Sequence, residues 1–135
     1  MLIKLMSNKP TKGVIDMEKV NLNQKFGLFT ECWSPKIVGD LNDAYVKVAK
    51  FKGEFTWHKH DSEDEFFYVV NGSVTIQRRD KDVVLNPGEF LIVPKGIEHC
   101  PKADEEAHIM LLEPKTTLNT GDVINEKTVA ELDWI

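Results

Sequence analysis

Turn-forming residues recur so closely in this chain that the segments between them suit short strands and little helix. From Phe26 onward Gly, Pro and Asn interrupt every apolar run: Gly53, Asn71-Gly72, Asp80-Lys81-Asp82, Asn86-Pro87-Gly88 and Pro94-Lys95-Gly96. Asn-Gly is a hairpin turn because both residues tolerate positive φ. The runs between the turns are β-branched and aromatic, which predicts strands. These are Ala44 to Phe51 (AYVKVAKF, charges interleaved), Phe55 to His60, Phe66 to Val70, Val74 to Arg79, Val83 to Leu85, Phe90 to Val93, a run beginning at His99, and His108 to Glu113. Residues 38–43 (VGDLND) read as a loop and Glu126 to Leu132 as a short helix in the tail. Many short strands with turns between them predict an all-β sandwich or barrel. A barrel closes its sheet edges and a jelly roll protects most of them. Residues 1–25 are polar and weakly patterned, which predicts a flexible N-terminal arm, with Met17 a candidate natural start. Residues 26–135 form one domain with a C-terminal tail.

A chain of 135 residues fits one domain and buries roughly two-thirds of the surface its unfolded form exposes. With 41% hydrophobic and 29% charged residues, it needs neither a disulfide nor a metal merely to stay folded. The formal charge of −5 argues against nucleic acid or an anionic membrane as the main partner. No apolar run is long enough for a membrane span. The first twenty residues carry basic side chains but too short an apolar core for a signal peptide. Only Cys32 and Cys100 occur, in no CxxC spacing, which fits a reducing cytoplasm.

The stretch HKHDSEDEFFYVVNG, His58 to Gly72, joins two histidines and four carboxylates to five apolar residues. On a strand His58 and His60 point to one face, with Trp57 and Lys59 on the other. Glu65 stands where the apolar run begins. A carboxylate carried into a core is costly unless it is paired or coordinates a metal. Asp61, Ser62 and Asp64 suit a solvated turn, and Glu63 competes with Glu65 as a ligand. His99 opens a later strand after Pro94-Lys95-Gly96. Three imidazoles and a carboxylate form a mixed N/O donor set suited to Fe, Mn, Ni, Cu or Zn.

In these residues the chain resembles the cupin superfamily. The first cupin motif runs Gly, five residues, HxH, three or four residues, Glu, six residues, Gly; here it is Gly53, four residues, His58-Lys59-His60, four residues, Glu65, six residues, Gly72. The second runs Gly, five residues, Pro-x-Gly, two residues, His, three residues, Asn; here it is Gly88, five residues, Pro94-Lys95-Gly96, two residues, His99. Ala103 stands in place of the final Asn, and Gly53 lies one residue nearer the histidines. The resemblance implies a cupin double-stranded β-helix, or jelly-roll barrel. It also implies a divalent transition metal held by His58, His60, Glu65 and His99, the spacing to Gly72 selecting Glu65 over Glu63. It extends to compact single-domain cupins described as like mannose-6-phosphate isomerase, although no sugar-phosphate site is legible in the chain.

Further roles are read from position. His108 shares a face with Met110 and Leu112, which places it either as a catalytic base or substrate contact beside the metal or as a satisfied core histidine. Phe67, Val69, Phe90 and Met110 are the expected pocket walls, suited to a small, partly hydrophobic ligand. Phe66, Tyr68 and Val70 need separate cover, which a second copy in a homodimer would provide. Cys100 points away from His99, and Trp33, Trp57 and Trp134 read as packing residues, with Trp57 a possible pocket edge. The expected function is a metal-dependent enzyme on a small organic molecule, of dioxygenase or isomerase type. The alternative is a non-catalytic module that binds or senses a small ligand, kept open because no general base beyond His108 and Tyr68 is evident.

Overall fold

A computed structural model describes residues 17–135; the remainder of the expected arm, residues 1–16, lies outside them. The described part of that arm contains a helix, α1 (Leu22–Phe26), capped by Asn21, whose side chain accepts from the Gln24 N–H. So short a helix does not hold itself together. Phe26 anchors it by packing with Phe29, Val38 and Val48.

Seven strands follow: β1 (Lys36–Leu41), β2 (Ala44–Glu54), β3 (Glu65–Asn71), β4 (Val74–Arg78), β5 (Val83–Leu85), β6 (Phe90–Val93) and β7 (His99–Pro114). Every strand pair is antiparallel. One path runs β1-β2-β7-β3-β6, and β4 pairs both β5 and β7. β7 is the spine. Its second half lies between β2 and β3, with Met110 opposite both Val48 and Tyr68. Its first half lies against β4 and the end of β2, with Lys102 opposite Thr75 and Glu54. Between these halves the β2 register shifts and Asp104, Glu105 and Glu106 stand exposed. Such a bulge lets one strand serve two parts of a rolled sheet. The architecture is all-β, as expected.

Three local expectations are corrected. Residues 38–43 are not a loop: β1 occupies all but Asn42-Asp43, because Ile37 and Val38 are buried and Asn42, at φ 53°, makes the tight turn into β2. Phe55 to His60 is not a strand but an extended connector with one bridge, His58 to His99. Glu126 to Leu132 is irregular rather than helical. There the Asn125 N–H donates to the Thr128 hydroxyl, the Thr128 N–H to the Asn125 carbonyl, the Lys127 N–H to Asn125 Oδ1 and the Val129 N–H to Asn119 Oδ1, so local side chains capture groups a helix would need. No helix among the described residues is long and apolar enough to cross a membrane.

The core is built from alternating positions. On β3, Glu65, Phe67 and Val69 face inward; on β7 the inward residues run His99, Pro101, Ala103, Ala107, Ile109, Leu111 and Glu113, with Cys100 also buried. The tail then seals one side of the barrel. The Asp122 N–H donates to the Lys59 carbonyl, and the Lys59 N–H donates to Asp122 Oδ1, each at 3.0 Å. Gly121, at φ 57°, lies so close that a Cβ there would meet the Lys59 carbonyl oxygen at 2.2 Å and His58 Cδ2 at 3.0 Å. Gly121→Ala is therefore expected to cost about 2–3 kcal/mol of stability, the range for overpacking, measured by urea denaturation. A midpoint equal to wild type would mean that the tail does not seat against the histidine connector.

Candidate metal centre

His58 and His60 sit on the connector, Glu65 opens β3 and His99 opens β7. The connector is fixed to β7 by a reciprocal pair of backbone bonds, His58 N–H to His99 O at 3.0 Å and His99 N–H to His58 O at 2.9 Å. A third bond, from the Gly96 N–H to the His60 carbonyl at 2.7 Å, ties it to the Pro94-Lys95-Gly96 turn. The two histidines converge because both ends of the connector are held, not because they alternate on a strand. One donor atom from each of His58, His60, Glu65 and His99 lies within 4.8 Å of the others, and all four residues are buried. Glu63 is not among them.

The orientation of each ring is legible. His58 Nδ1 faces the Thr56 carbonyl at 2.7 Å and His99 Nδ1 faces the Ile97 carbonyl at 2.8 Å. Each therefore turns Nε2 toward the centre. Nε2 of His60 and of His99 each lie 2.9 Å from Glu65 Oε1. The His99 contact is a well-formed hydrogen bond. The His60 contact has the distance without the alignment, and both ring nitrogens of His60 are buried with no hydrogen-bond partner. Buried polar nitrogens without partners are costly. A cation among the four groups would satisfy His60 Nε2, so the residues present fit a divalent metal with N/O ligands.

Charge inside the barrel extends one step further. Glu113 is buried, lines the same cavity as Glu65 and takes a 3.1 Å bond from the buried Lys47 ammonium. Burial and then the Glu65 charge push the Glu113 carboxyl well above the usual carboxylate range, against the pull of Lys47. Burial alone would raise Glu65 too, but the imidazoles of His60 and His99 and the Glu113 carboxyl outweigh it and hold Glu65 well below that range. Burial, then the neighbouring His99, lowers His58 to about 4. His99 is also opposed by burial, but Glu65 beside it raises its pKa overall.

The cavity next to these groups is small, about 30 Å³, room for one or two waters. Its apolar walls include Trp33, Phe51, Phe55, Phe67 and Leu111. Of the expected walls, Phe67 lines the cavity and Val69 is buried in the core without reaching it. Phe90 is corrected: it is 58% exposed on β6, its ring 5.0 Å from Phe66. Met110 and His108 are corrected for a shared reason. β7 keeps one parity from His99 to Glu113, so Ile109 and Leu111 point inward and the even-numbered residues point out. His108 stacks on Phe26 at 4.5 Å and contacts Glu106 and Asn71, away from the cavity. Trp57 lies under the Arg79 guanidinium, 3.7 Å from its ring centre, and is not a cavity wall. Cys100 points away from His99 and its thiol, raised by burial to about 11, is unreactive.

The residues that sequence reasoning missed are Glu113, Trp33, Phe51 and Phe55. Counting every second residue from His99 along an unbroken strand would have found Glu113. Trp33 sits at φ 61°, stacked on Phe51 and Phe55 at 4.4 and 4.7 Å, a conformation that no local sequence signal marks.

Comparison with known proteins fits this architecture. The profile of the cupin domain matches residues 44–115, more than half of the chain. The chain is a cupin. A cupin-2 domain-containing protein from Shewanella frigidimarina NCIMB 400 is 45% identical, with a TM-score of 0.70 over 71% of this cupin and 94% of that chain. The uncharacterized protein YdbB of Bacillus subtilis (strain 168) is 40% identical over 63 residues, 46% of this chain and 56% of that protein. Acireductone dioxygenase 1 of Coprinopsis cinerea is 35% identical over 75 residues, 51% of this chain and 40% of that enzyme. The cupin thus spans about half the length of these curated relatives.

The titrating groups of the centre predict a pH profile for the metal-free cupin. His58 takes its proton near 6.5 when unfolded but only near 4 when folded. Between those values the unfolded state binds more protons, so stability falls as pH falls, by about 3 kcal/mol. Glu65, with its lowered pKa, adds to the loss below 4.5. His99, with its raised pKa, contributes stability below 6.5 that is lost as pH rises through its folded value. Glu113, with its raised pKa, works the other way, losing stability as pH rises above 4.5, so the His58 contribution is read by difference: in denaturant titrations of chelator-treated protein His58→Asn should reduce the fall in stability between pH 6.5 and 4. An acid slope that survives this substitution would assign the loss elsewhere.

Proposed function

We propose that His58, His60, Glu65 and His99 bind one divalent transition metal, and that this cupin is a metal-dependent enzyme acting on a small organic molecule. The observation that carries the reading is the convergence of four buried ligand side chains, one donor atom from each within 4.8 Å of the others, with His60 Nδ1 buried without a partner. Four protein ligands on a six-coordinate ion leave two positions open. A metal held there would supply Lewis acidity and, if it is iron, dioxygen chemistry. The likeness to an acireductone dioxygenase supports the dioxygenase type over the isomerase. The chain's own residues would exclude water with the Trp33, Phe51 and Phe55 stack, and Glu113 would hold a proton next to Glu65. The apolar walls would favour a partly hydrophobic ligand, which a cavity of about 30 Å³ would admit only by opening.

A second reading, a binding or sensing module without turnover, is favoured by one observation. His108 faces away from the cavity, which leaves Glu113 as the acid–base group there outside the four proposed ligands. Protein purified without chelator should carry about one metal per chain by elemental analysis, and His58→Ala should lower that content at least tenfold. Background metal in the wild type would sink the metal reading. Iron-loaded protein with substrate-dependent oxygen uptake would favour the dioxygenase, and metal with no uptake the binding module.

We also propose a homodimer. Val70 is covered within the chain by the cluster around Phe26, but Phe66 stacks on an exposed Phe90, and Ile92 beside it is 51% exposed. Sedimentation at micromolar concentration should show a species of twice 15.4 kDa, shifted toward monomer by Phe90→Glu. A single 15.4 kDa species in the wild type would refute it.

A further inference from the structure

A histidine that ligates through Nε2 donates its Nδ1–H to a fixed acceptor, which sets the tautomer and the ring orientation. In His58 and His99 that acceptor is the backbone carbonyl two residues earlier, Thr56 and Ile97 respectively. For His60 the corresponding carbonyl is that of His58, and it is already taken by the His99 N–H in the connector's backbone pairing. His60 Nδ1 is accordingly buried without a partner. The charged group beside it is Glu63, whose Oε1 lies 4.0 Å away and whose side chain is mostly buried. Glu63 is held from behind by the Thr116 hydroxyl, which donates to its other oxygen, Oε2, at 2.9 Å. His60 and Glu63 border a polar cavity of about 190 Å³ that also reaches Thr116, so Glu63 has room to rotate toward the ring.

We propose that Glu63 is the positioning residue of this centre: its carboxylate accepts the His60 Nδ1–H, closing the 4.0 Å gap, with Thr116 holding the carboxylate in place. Its role is to orient a ligand, not to be one. His60 is then the one histidine of the three whose tautomer depends on a side chain. This inference rests on the metal-binding reading above and concerns the same site.

The experiment measures Zn²⁺ and Co²⁺ affinity by chelator competition for wild type, Glu63→Ala, Glu63→Gln and Thr116→Val, together with the thermal midpoint of each metal-free protein. Glu63→Ala should weaken both metals roughly 10- to 100-fold, the usual cost of losing an outer partner of a ligating histidine. Its metal-free midpoint should stay at the wild-type value. Glu63→Gln, whose amide oxygen can still accept the Nδ1–H, should recover much of the affinity, and Thr116→Val should lose less than Glu63→Ala. Affinity for Glu63→Ala indistinguishable from wild type would overturn the inference while leaving the metal reading intact. So would a loss that Glu63→Gln does not recover and that a matching fall in metal-free stability explains. A wild type that binds neither metal would overturn both.

Discussion

Everything inside this barrel is constrained by the burial of the Glu65 carboxylate. An ionised carboxylate in an apolar interior is tolerated only with partners. Glu65 begins β3 at the point where the chain turns from a solvated acidic loop into Phe67 and Val69, so strand alternation forces it inward with them. The interior then supplies partners from three other places: His60 on the connector, His99 at the start of β7 and Glu113 near its end. Glu113 in turn is held by Lys47 on β2. The result is a buried chain of charge and proton, ammonium to carboxyl to carboxylate to imidazole, crossing from β2 to the connector. Such a chain is expensive to assemble, and replacing it with apolar residues would often be at least as stable. Its presence in a core otherwise made of Val, Ile, Leu and Phe points to a job other than holding the fold.

The same alternation explains which parts of the site were legible beforehand. Glu65 was readable because the apolar run after it fixed its phase. His99 was readable because it follows a turn and opens a strand. The convergence of His58 and His60 was expected for a reason that does not hold, since their segment is not a strand; their spacing matched a motif whose geometry is supplied by long-range pairing with residues some forty positions away. The phase of β7 was misjudged for lack of its beginning. Read as two separate runs, His108 to Glu113 has no defined inside. Read as one strand from His99, its odd positions other than Glu105 in the bulge face the core, which sends His108 outward and brings Glu113 in. The three-acid bulge at Asp104 to Glu106 hid that continuity, because such a charged stretch reads as a loop.

Burial of lysine was equally hard to foresee. In AYVKVAKF the alternation puts Lys47 on the same side as Ala49 and Phe51, which contradicts the rule that charges face water. Only the partner Glu113, 66 residues away, makes that position tenable. The apolar walls show a similar dependence. Phe51 and Phe55 flank Gly53, which reads locally as a break, yet they enclose Trp33 between them in the folded chain. Phe90, expected inside, lies out because β6 is the end of its sheet path and pairs only with β3.

The site is therefore assembled from segments that do not stabilise one another locally: the connector, the openings of β3 and β7, and the tail that closes over Lys59. A ligand joining such segments adds free energy to the folded state only, since the unfolded chain holds them apart. The protons count in the same balance. His58 is already neutral in the metal-free fold at ordinary pH, because burial has lowered it, whereas His99 is held toward its charged form by Glu65. A metal held at this centre would take the place of the His99–Glu65 hydrogen bond and would meet His58 already neutral. The centre is thus organised in advance partly by desolvation of His58 and partly by the Glu65–His99 contact that a cation would replace.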